Sequence, residues 1–274
     1  MKKLITAGLL FMSLLACEKQ GKEEDPPTGE QEIPETAPAI QKPVNVNVNG
    51  NIGGYMEALP ARYDSTTQKY PLLVFLHGMG ELGNGTTQLN NVTVTAIPAL
   101  LKNKKFPPAF TVNNKSYSFI VVSPQFKNWP GAGDVQAMIN HAISKYRVDT
   151  TRIYLSGLSM GGGATWDYAV QYGRRLAAIV PICGAMGPSD AAAKKIADAG
   201  LPVWAFHNKD DKTVTYENSV GFVDKINGFN ANPKAKLTLW ESGGHDAWTK
   251  ATNPDTKENG MNMYEWMLQY KRGE

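Results

Sequence analysis

The sequence predicts an α/β protein built on a mostly parallel, doubly wound sheet with helices on both faces. Three observations predict it. Short continuous apolar runs alternate along the chain with stretches whose apolar residues recur at helical spacing. The runs are apolar at consecutive positions, so both faces of each strand must be covered, as in a buried parallel sheet. The residues directly after the runs are rich in Ser, Asp, His and Gly, and ligands of such sheets bind beyond the carboxyl ends of the strands.

The elements follow in chain order. Lys2 and Lys3 precede an apolar stretch at 4–16. That stretch is shorter than the ~20 residues a membrane-spanning helix needs, and it reads as a signal peptide. It ends "LLAC", which resembles the lipobox of bacterial lipoproteins. The resemblance implies that Cys17 carries lipid and that the protein is anchored in the outer membrane of the cell envelope, on its periplasmic or surface face. Residues 17–43 are rich in acid and proline, with Ile33 and Ile40 as the only large aliphatics. Such a segment buries too little apolar surface to offset its ordering entropy, so a disordered tether is expected. Residues 44–274 suffice for one catalytic domain with its own core. Within it, 53–59 is expected to add antiparallel edge strands. The core runs are 70–76, 118–122, 152–155, 177–182, 202–206 and 236–240. Helices are predicted at 135–146, with Asp134 as its cap, and at 161–172, 191–199, 220–229 and 262–270.

Composition excludes some functions. The net charge is +3 and the basic residues are dispersed, so a nucleic-acid partner is not expected. There are two cysteines. With Cys17 lipidated, Cys183 has no partner and reads as a small buried hydrophobe. No metal-ligand spacing occurs, no cofactor is expected, and the protein is expected to be a monomer.

The chemistry centres on "IYLSGLSMGGGATWDY" at 153–168. Gly157-Leu158-Ser159-Met160-Gly161 fits G-x-S-x-G, with an apolar strand before it and a helical pattern after it. That is the context in which such a turn exposes a nucleophilic serine. A serine hydroxyl needs an adjacent base, itself oriented by an acid. Of the four histidines, His207 and His245 follow the serine. His245 lies in the Gly-rich turn after the last core run, where the base belongs. His207 adjoins a buried strand and reads as structural. Asp210 and Asp211 are both candidate acids; the spacing Asp211-Lys-Thr-Val214 favours Asp211. The N–H groups of Met160 and Met79 are the expected oxyanion donors, and His77 is expected to brace the Met79 loop.

The segments "YPLLVFLHGMGELGNG", "YRVDTTRIYLSGLSMGGGATWDYA", "PVWAFHNKDDKTV" and "GGHDAW", in this order, resemble serine esterases of the α/β-hydrolase fold. The nearest likeness is to secreted bacterial carbohydrate esterases, the feruloyl and acetylxylan esterases among them. Dienelactone-hydrolase-like and polyhydroxybutyrate-depolymerase-like proteins are related. The resemblance spans about residues 53–270. It implies Ser159 as nucleophile, Asp211 as acid and His245 as base, an acyl-enzyme mechanism, and a feruloyl or acetyl ester on polysaccharide as substrate. One departure is His207-Asn208, where relatives carry His-Gly. Gln125 and Trp129, after the run at 118–122, are expected to contact substrate, Trp129 by stacking on a sugar or feruloyl ring; packing of Trp129 under its own loop is the alternative. Two other functions stay open: a peptidase using the same machinery, and an inactive polysaccharide-binding surface protein.

Overall fold

A computed structural model describes Met1 and residues 34–273. The expected signal peptide, Cys17 and most of the expected tether lie outside the described residues. The tether expectation needs one correction at its C-terminal end. Residues 40–43 belong to a strand, so the ordered region begins before Val44. Main-chain pairing with the next strand orders this segment despite its low apolar content.

Strand β1 (Ile40–Val44) pairs antiparallel with β2 (Ile52–Leu59), and β3 (Tyr70–Leu76) follows. Helix α1 (Ala96–Lys102) and a small hairpin, β4 (Phe110–Val112) and β5 (Lys115–Tyr117), precede β6 (Ile120–Phe126). The chain then alternates: α2 (Ala132–Lys145), β7 (Val148–Leu158), α3 (Met160–Tyr172), β8 (Ala178–Ile182), α4 (Asp190–Asp198), β9 (Trp204–Asn208), α5 (Glu217–Gly228) and β10 (Lys236–Trp240). Two short helices close it, α6 (Trp248–Ala251) and α7 (Met263–Met267). The main sheet has eight strands in the order β1-β2-β6-β3-β7-β8-β9-β10. The six strands from β6 to β10 in that order run parallel, and β1 and β2 are antiparallel at one edge. This is the α/β-hydrolase fold.

Strand β3 explains why both faces are covered. All seven of its residues are buried. Leu72, Val74 and Leu76 pack into one cluster with Val135 and Met138 of α2, Trp166 of α3, Ile196 of α4 and Phe222 of α5. Leu73 and Phe75 point the other way, into a cluster with Ile97 of α1 and Met263 and Trp266 of α7. Each such side chain stabilises by about 1.5–3 kcal/mol when buried, so the alternation fixes the strand's register against both helical layers. Among the described residues, no helix is long and apolar enough to cross a membrane.

Helix α2 starts earlier than its apolar spacing suggests. It begins at Ala132, and Asp134 is its third residue rather than its cap. The Asp134 carboxylate reaches back to accept the Gly131 N–H at 3.1 Å, and it also accepts the side-chain amides of Asn49 and Asn51 at 2.8 and 3.0 Å. One carboxylate thereby joins the helix start to the loop before β2.

Candidate active site

Five loops converge at the carboxyl ends of β3, β7, β8, β9 and β10. Ser159 sits between β7 and α3 with φ 52° and ψ −115°. A non-glycine residue in that region costs about 1–3 kcal/mol and persists only where its surroundings hold it. Here the backbone does so. The Ser159 N–H donates to Ile182 O at 3.0 Å, and its carbonyl accepts from Gly163 and Ala185 at 2.9 and 3.0 Å. The turn also requires the start of α3 to press against β3. A Cβ on Gly161 would stand 2.3 Å from Leu76 O and 2.6 Å from His77 O.

Ser159 Oγ lies 2.8 Å from His245 Nε2, and His245 Nδ1 lies 2.7 Å from Asp211 Oδ2. The Asp211 side chain is wholly buried, whereas that of His245 is 21% exposed. The imidazole is therefore reachable from solvent and the carboxylate is not. Burial alone would raise the Asp211 carboxyl, but the hydrogen bond from His245 and the N–H groups of Val214 and Thr213 outweigh it and hold it below its ordinary range. Those two N–H groups donate to Oδ1 at 3.0 and 2.8 Å. The Asp-x-x-Val spacing thus works through the backbone of Val214: its N–H binds the carboxylate, and its carbonyl accepts from His207 Nε2 at 3.0 Å.

His207 is closer to the site than a merely structural reading implies. Its Nε2 is 3.2 Å from Asp211 Oδ2, and its Nδ1 is 2.8 Å from Ser219 Oγ. Both partners of Nε2 are acceptors, so that nitrogen carries the proton, and Nδ1 accepts from the serine hydroxyl. Burial lowers the pKa of His207, against the Val214 and Asp211 interactions that raise it. The Asp211 carboxylate is thus flanked by two imidazoles. Asp210 has a separate task. Its carboxylate accepts the N–H groups of Gly244 and Gly243 at 2.8 and 3.3 Å, while Asn208 Nδ2 donates to Gly244 O at 3.0 Å. The two side chains fix the turn that carries His245, and that turn needs Gly244 at φ 58°. The His245 ring also meets Trp248 edge-on, with centroids 5.3 Å apart.

On the opposite side, His77 braces the loop after β3. Its Nδ1 is 2.6 Å from Gly78 O, and its Nε2 accepts the Phe126 N–H at 3.0 Å, so the proton is on Nδ1. A Cβ on Gly78 would lie 3.7 Å from Ser159 Cβ, which brings the backbone leading to Met79 against the serine. The Met79 side chain is exposed. Met160 is the first residue of α3, where N–H groups have no intrahelical partner.

Burial pushes His77 down from 6.5 to about 4, against the Gly78 hydrogen bond. The unfolded chain therefore takes up a proton below pH 6.5 that the folded chain refuses until about pH 4. Stability contributed above pH 6.5 is lost as pH falls through this window, by about 3 kcal/mol at ~1.4 kcal/mol per pKa unit. In urea unfolding, the midpoint is expected to fall between those limits. The fall should be shallower in His77→Gln, which leaves His207 to titrate as before. Parallel profiles for the two proteins would show that another group sets the acid limb.

The two residues expected to contact substrate fare differently. Gln125 is corrected: it is fully buried, and its amide is consumed by the loop after β3. It donates to Glu81 O and Gln88 O at 3.0 and 2.7 Å and accepts from Gly85 N at 2.8 Å. At the end of β6 its side chain turns into that loop, so it anchors the site's wall instead of meeting a ligand. Trp129 is 52% exposed and does not pack beneath its own loop. Cys183, which follows β8, is also nearer the chemistry than a buried hydrophobe need be. Its sulfur, an Asp211 oxygen and a His245 nitrogen all lie within 4.8 Å of one another.

Comparison with known proteins supplies the family context. The family model described as Phospholipase/Carboxylesterase matches residues 63–253. A bifunctional acetylxylan esterase/xylanase of Neocallimastix patriciarum is 27% identical over 160 residues, covering 55% of this chain and 22% of that protein. The chain thus matches less than a quarter of that relative's length. An acyl-protein thioesterase 1 homolog of Dictyostelium discoideum is 29% identical over 161 residues, 52% of this chain and 70% of that one. Among solved structures, a thermostable esterase superposes with a TM-score of 0.63 at 25% identity, covering 85% of this chain and 63% of the other.

Proposed function

Since this chain belongs to the phospholipase/carboxylesterase family and is a serine ester hydrolase, we propose that it cleaves carboxylic esters through an acyl-enzyme formed on Ser159. The observation that carries the reading is the unbroken hydrogen-bond chain from Ser159 Oγ through His245 to Asp211, with links of 2.8 and 2.7 Å. In this reading His245 Nε2 takes the Ser159 proton as Oγ attacks the ester carbonyl. Asp211, ionised and anchored, stabilises the imidazolium and fixes its tautomer. The N–H groups of Met160 and Met79 stabilise the oxyanion. His245 returns its proton to the departing alcohol, and water, activated by the same imidazole, then releases the acid.

The proposed substrates are feruloyl or acetyl esters on polysaccharide. The acetylxylan esterase relative and the exposed Trp129, able to stack on a flat ring, support this class. The leader ending at Cys17 supports a lipid-anchored enzyme of the cell envelope. The thioesterase relative makes a thioester the second class to assay. The test is hydrolysis of p-nitrophenyl acetate, methyl ferulate, acetylated xylan and an acyl thioester by the purified chain, with a pre-steady-state burst as the mark of the acyl-enzyme. Turnover of ferulate or acetylxylan above the thioester supports the polysaccharide reading. Preference for the thioester overturns the substrate class but keeps the mechanism; inertness toward all four overturns both.

A further inference from the structure

We propose that the end of the molecule opposite the candidate active site is a docking face for anionic phospholipid headgroups, and that on a membrane it holds the chain with Ser159 turned outward. The binding is independent of the esterase reading above; the use of an outward-facing site rests on it.

The fold sorts charge between its two ends. Six strands run parallel, so the segments leading into them gather at one end and the loops after them at the other. The lead-ins are 66–69, 118–119, 146–147, 173–177, 199–203 and 229–235. The tail at 268–273 joins them, with the Arg272 N–H bonded to Thr151 O near the start of β7. Together these segments hold seven Lys or Arg residues and no Asp or Glu. The loops at the active-site end, 77–95, 127–131, 183–189, 209–216 and 241–247, hold three Lys and five Asp or Glu. Cations dispersed along the sequence are thus collected on one face by the topology. A molecule with that asymmetry turns its basic end toward a negative surface. Glu35, Asp149 and Asp198, which border the basic end, are each paired with a cation of their own; Asp64 is an exposed carboxylate at its edge.

The cations of this face have charge to give. Arg174, Arg175, Lys234 and Arg272 are exposed, and among the described residues none of them is in a salt bridge. Their side chains donate to neutral oxygens: Arg174 to Asp198 O at 2.6 Å, Arg175 to Asn140 Oδ1 at 3.0 Å, Lys234 to Asn227 O at 2.9 Å and Arg272 to Thr150 O at 3.4 Å. A groove of about 540 Å³, lined by Arg174 and Arg272, opens among them, and a headgroup phosphate seated there would meet both guanidinium groups. Apolar contact is available beside the charge. Helices α3 and α5 carry the chain back to this end, and Tyr172, the last residue of α3, and Phe229, just after α5, are both exposed. Aromatic rings so placed suit the boundary between headgroups and acyl chains. The chain also enters the sheet here. Ile40 pairs with Leu59, and Ala58 pairs with Val121 at the start of β6. The segment that leads from Cys17 therefore joins the fold on the same side as the basic face.

The experiment measures binding of the full chain, carrying Cys17→Ala so that no lipid contributes, to vesicles of phosphatidylcholine with and without one-third phosphatidylglycerol. Binding is expected to the anionic vesicles and to be lost at high salt. A surface Lys or Arg is worth about fivefold in affinity for such a membrane, so Arg174→Gln with Arg272→Gln should weaken binding roughly 25-fold. Arg174→Lys with Arg272→Lys, which keeps the charge, should bind as the parent does. Hydrogen exchange of the vesicle-bound chain reads the orientation. Segments 173–177, 229–235 and 268–273 should be protected, and 241–247, which carries His245, should exchange as in the free chain. Equal binding to both vesicle types, Lys variants as weak as the Gln variants, or protection centred on 241–247 would each overturn the docking face. None of these readouts needs turnover, so a chain that hydrolyses no ester still decides the question; if it is active, bound and free chain should hydrolyse p-nitrophenyl acetate equally.

Discussion

Ser159→Ala is expected to lower kcat/KM for p-nitrophenyl acetate by at least ~10⁴-fold, because what remains without the nucleophile is binding and oxyanion stabilisation alone. The fold should be indifferent to the change. Ser159 Oγ is bonded to His245 Nε2, a contact on the partly solvated side of the imidazole, while the backbone bonds that hold the strained turn survive the substitution. The thermal midpoint is therefore expected to stay within a few degrees of the parent. His245→Ala should cost about as much activity as Ser159→Ala, and the double variant about as much as either, because the groups act as one unit. A fluorophosphonate probe should label the parent and neither variant. Losses that multiply in the double variant would mean that Ser159 and His245 act independently, and the relay through 2.8 and 2.7 Å hydrogen bonds would have to be abandoned.

Gly161→Ala is expected to be the most disruptive single-methyl change near the site, costing upward of about 4 kcal/mol, in the range reserved for backbone collision and overpacking. The added Cβ would fall 2.3 Å from Leu76 O and 2.6 Å from His77 O. The Leu76 carbonyl cannot yield easily, since Leu76 ends β3 paired with Gly157 of β7. Gly133→Ala is the control. It lies in the first turn of α2, with nothing within 4 Å of its would-be Cβ, and should stabilise by roughly 0.5–1 kcal/mol because alanine is the better helix former. Urea unfolding of both proteins measures the contrast. Equal midpoints would show that the start of α3 and the end of β3 are not in close contact.

The architecture of this chain and the order of its candidate site residues are written in its sequence. Both follow from local pattern. Consecutive apolar residues at 70–76 demanded a strand covered on both faces, and the serine set between glycines at 157–161 marked a sharp turn between strand and helix. Turn chemistry and hydrophobic period are properties of a few neighbouring residues, so they are legible without a fold.

Which side chains meet across distant segments is set by the folded chain. Asp210 and Asp211 are adjacent and chemically identical, yet one clamps the glycine turn and the other bonds His245, because successive residues leave the end of β9 in different directions. Gln125 looked free at the end of its strand, but the wall loop took its whole amide. His207 became a second neighbour of the acid, and Cys183 stands beside the acid–base pair. Residues 40–43, too polar to form a core, became ordered because β2 offered an open row of backbone groups. Each of these outcomes rests on a hydrogen bond or approach between residues far apart in sequence or on direction at a strand end, and neither leaves a mark in composition or period.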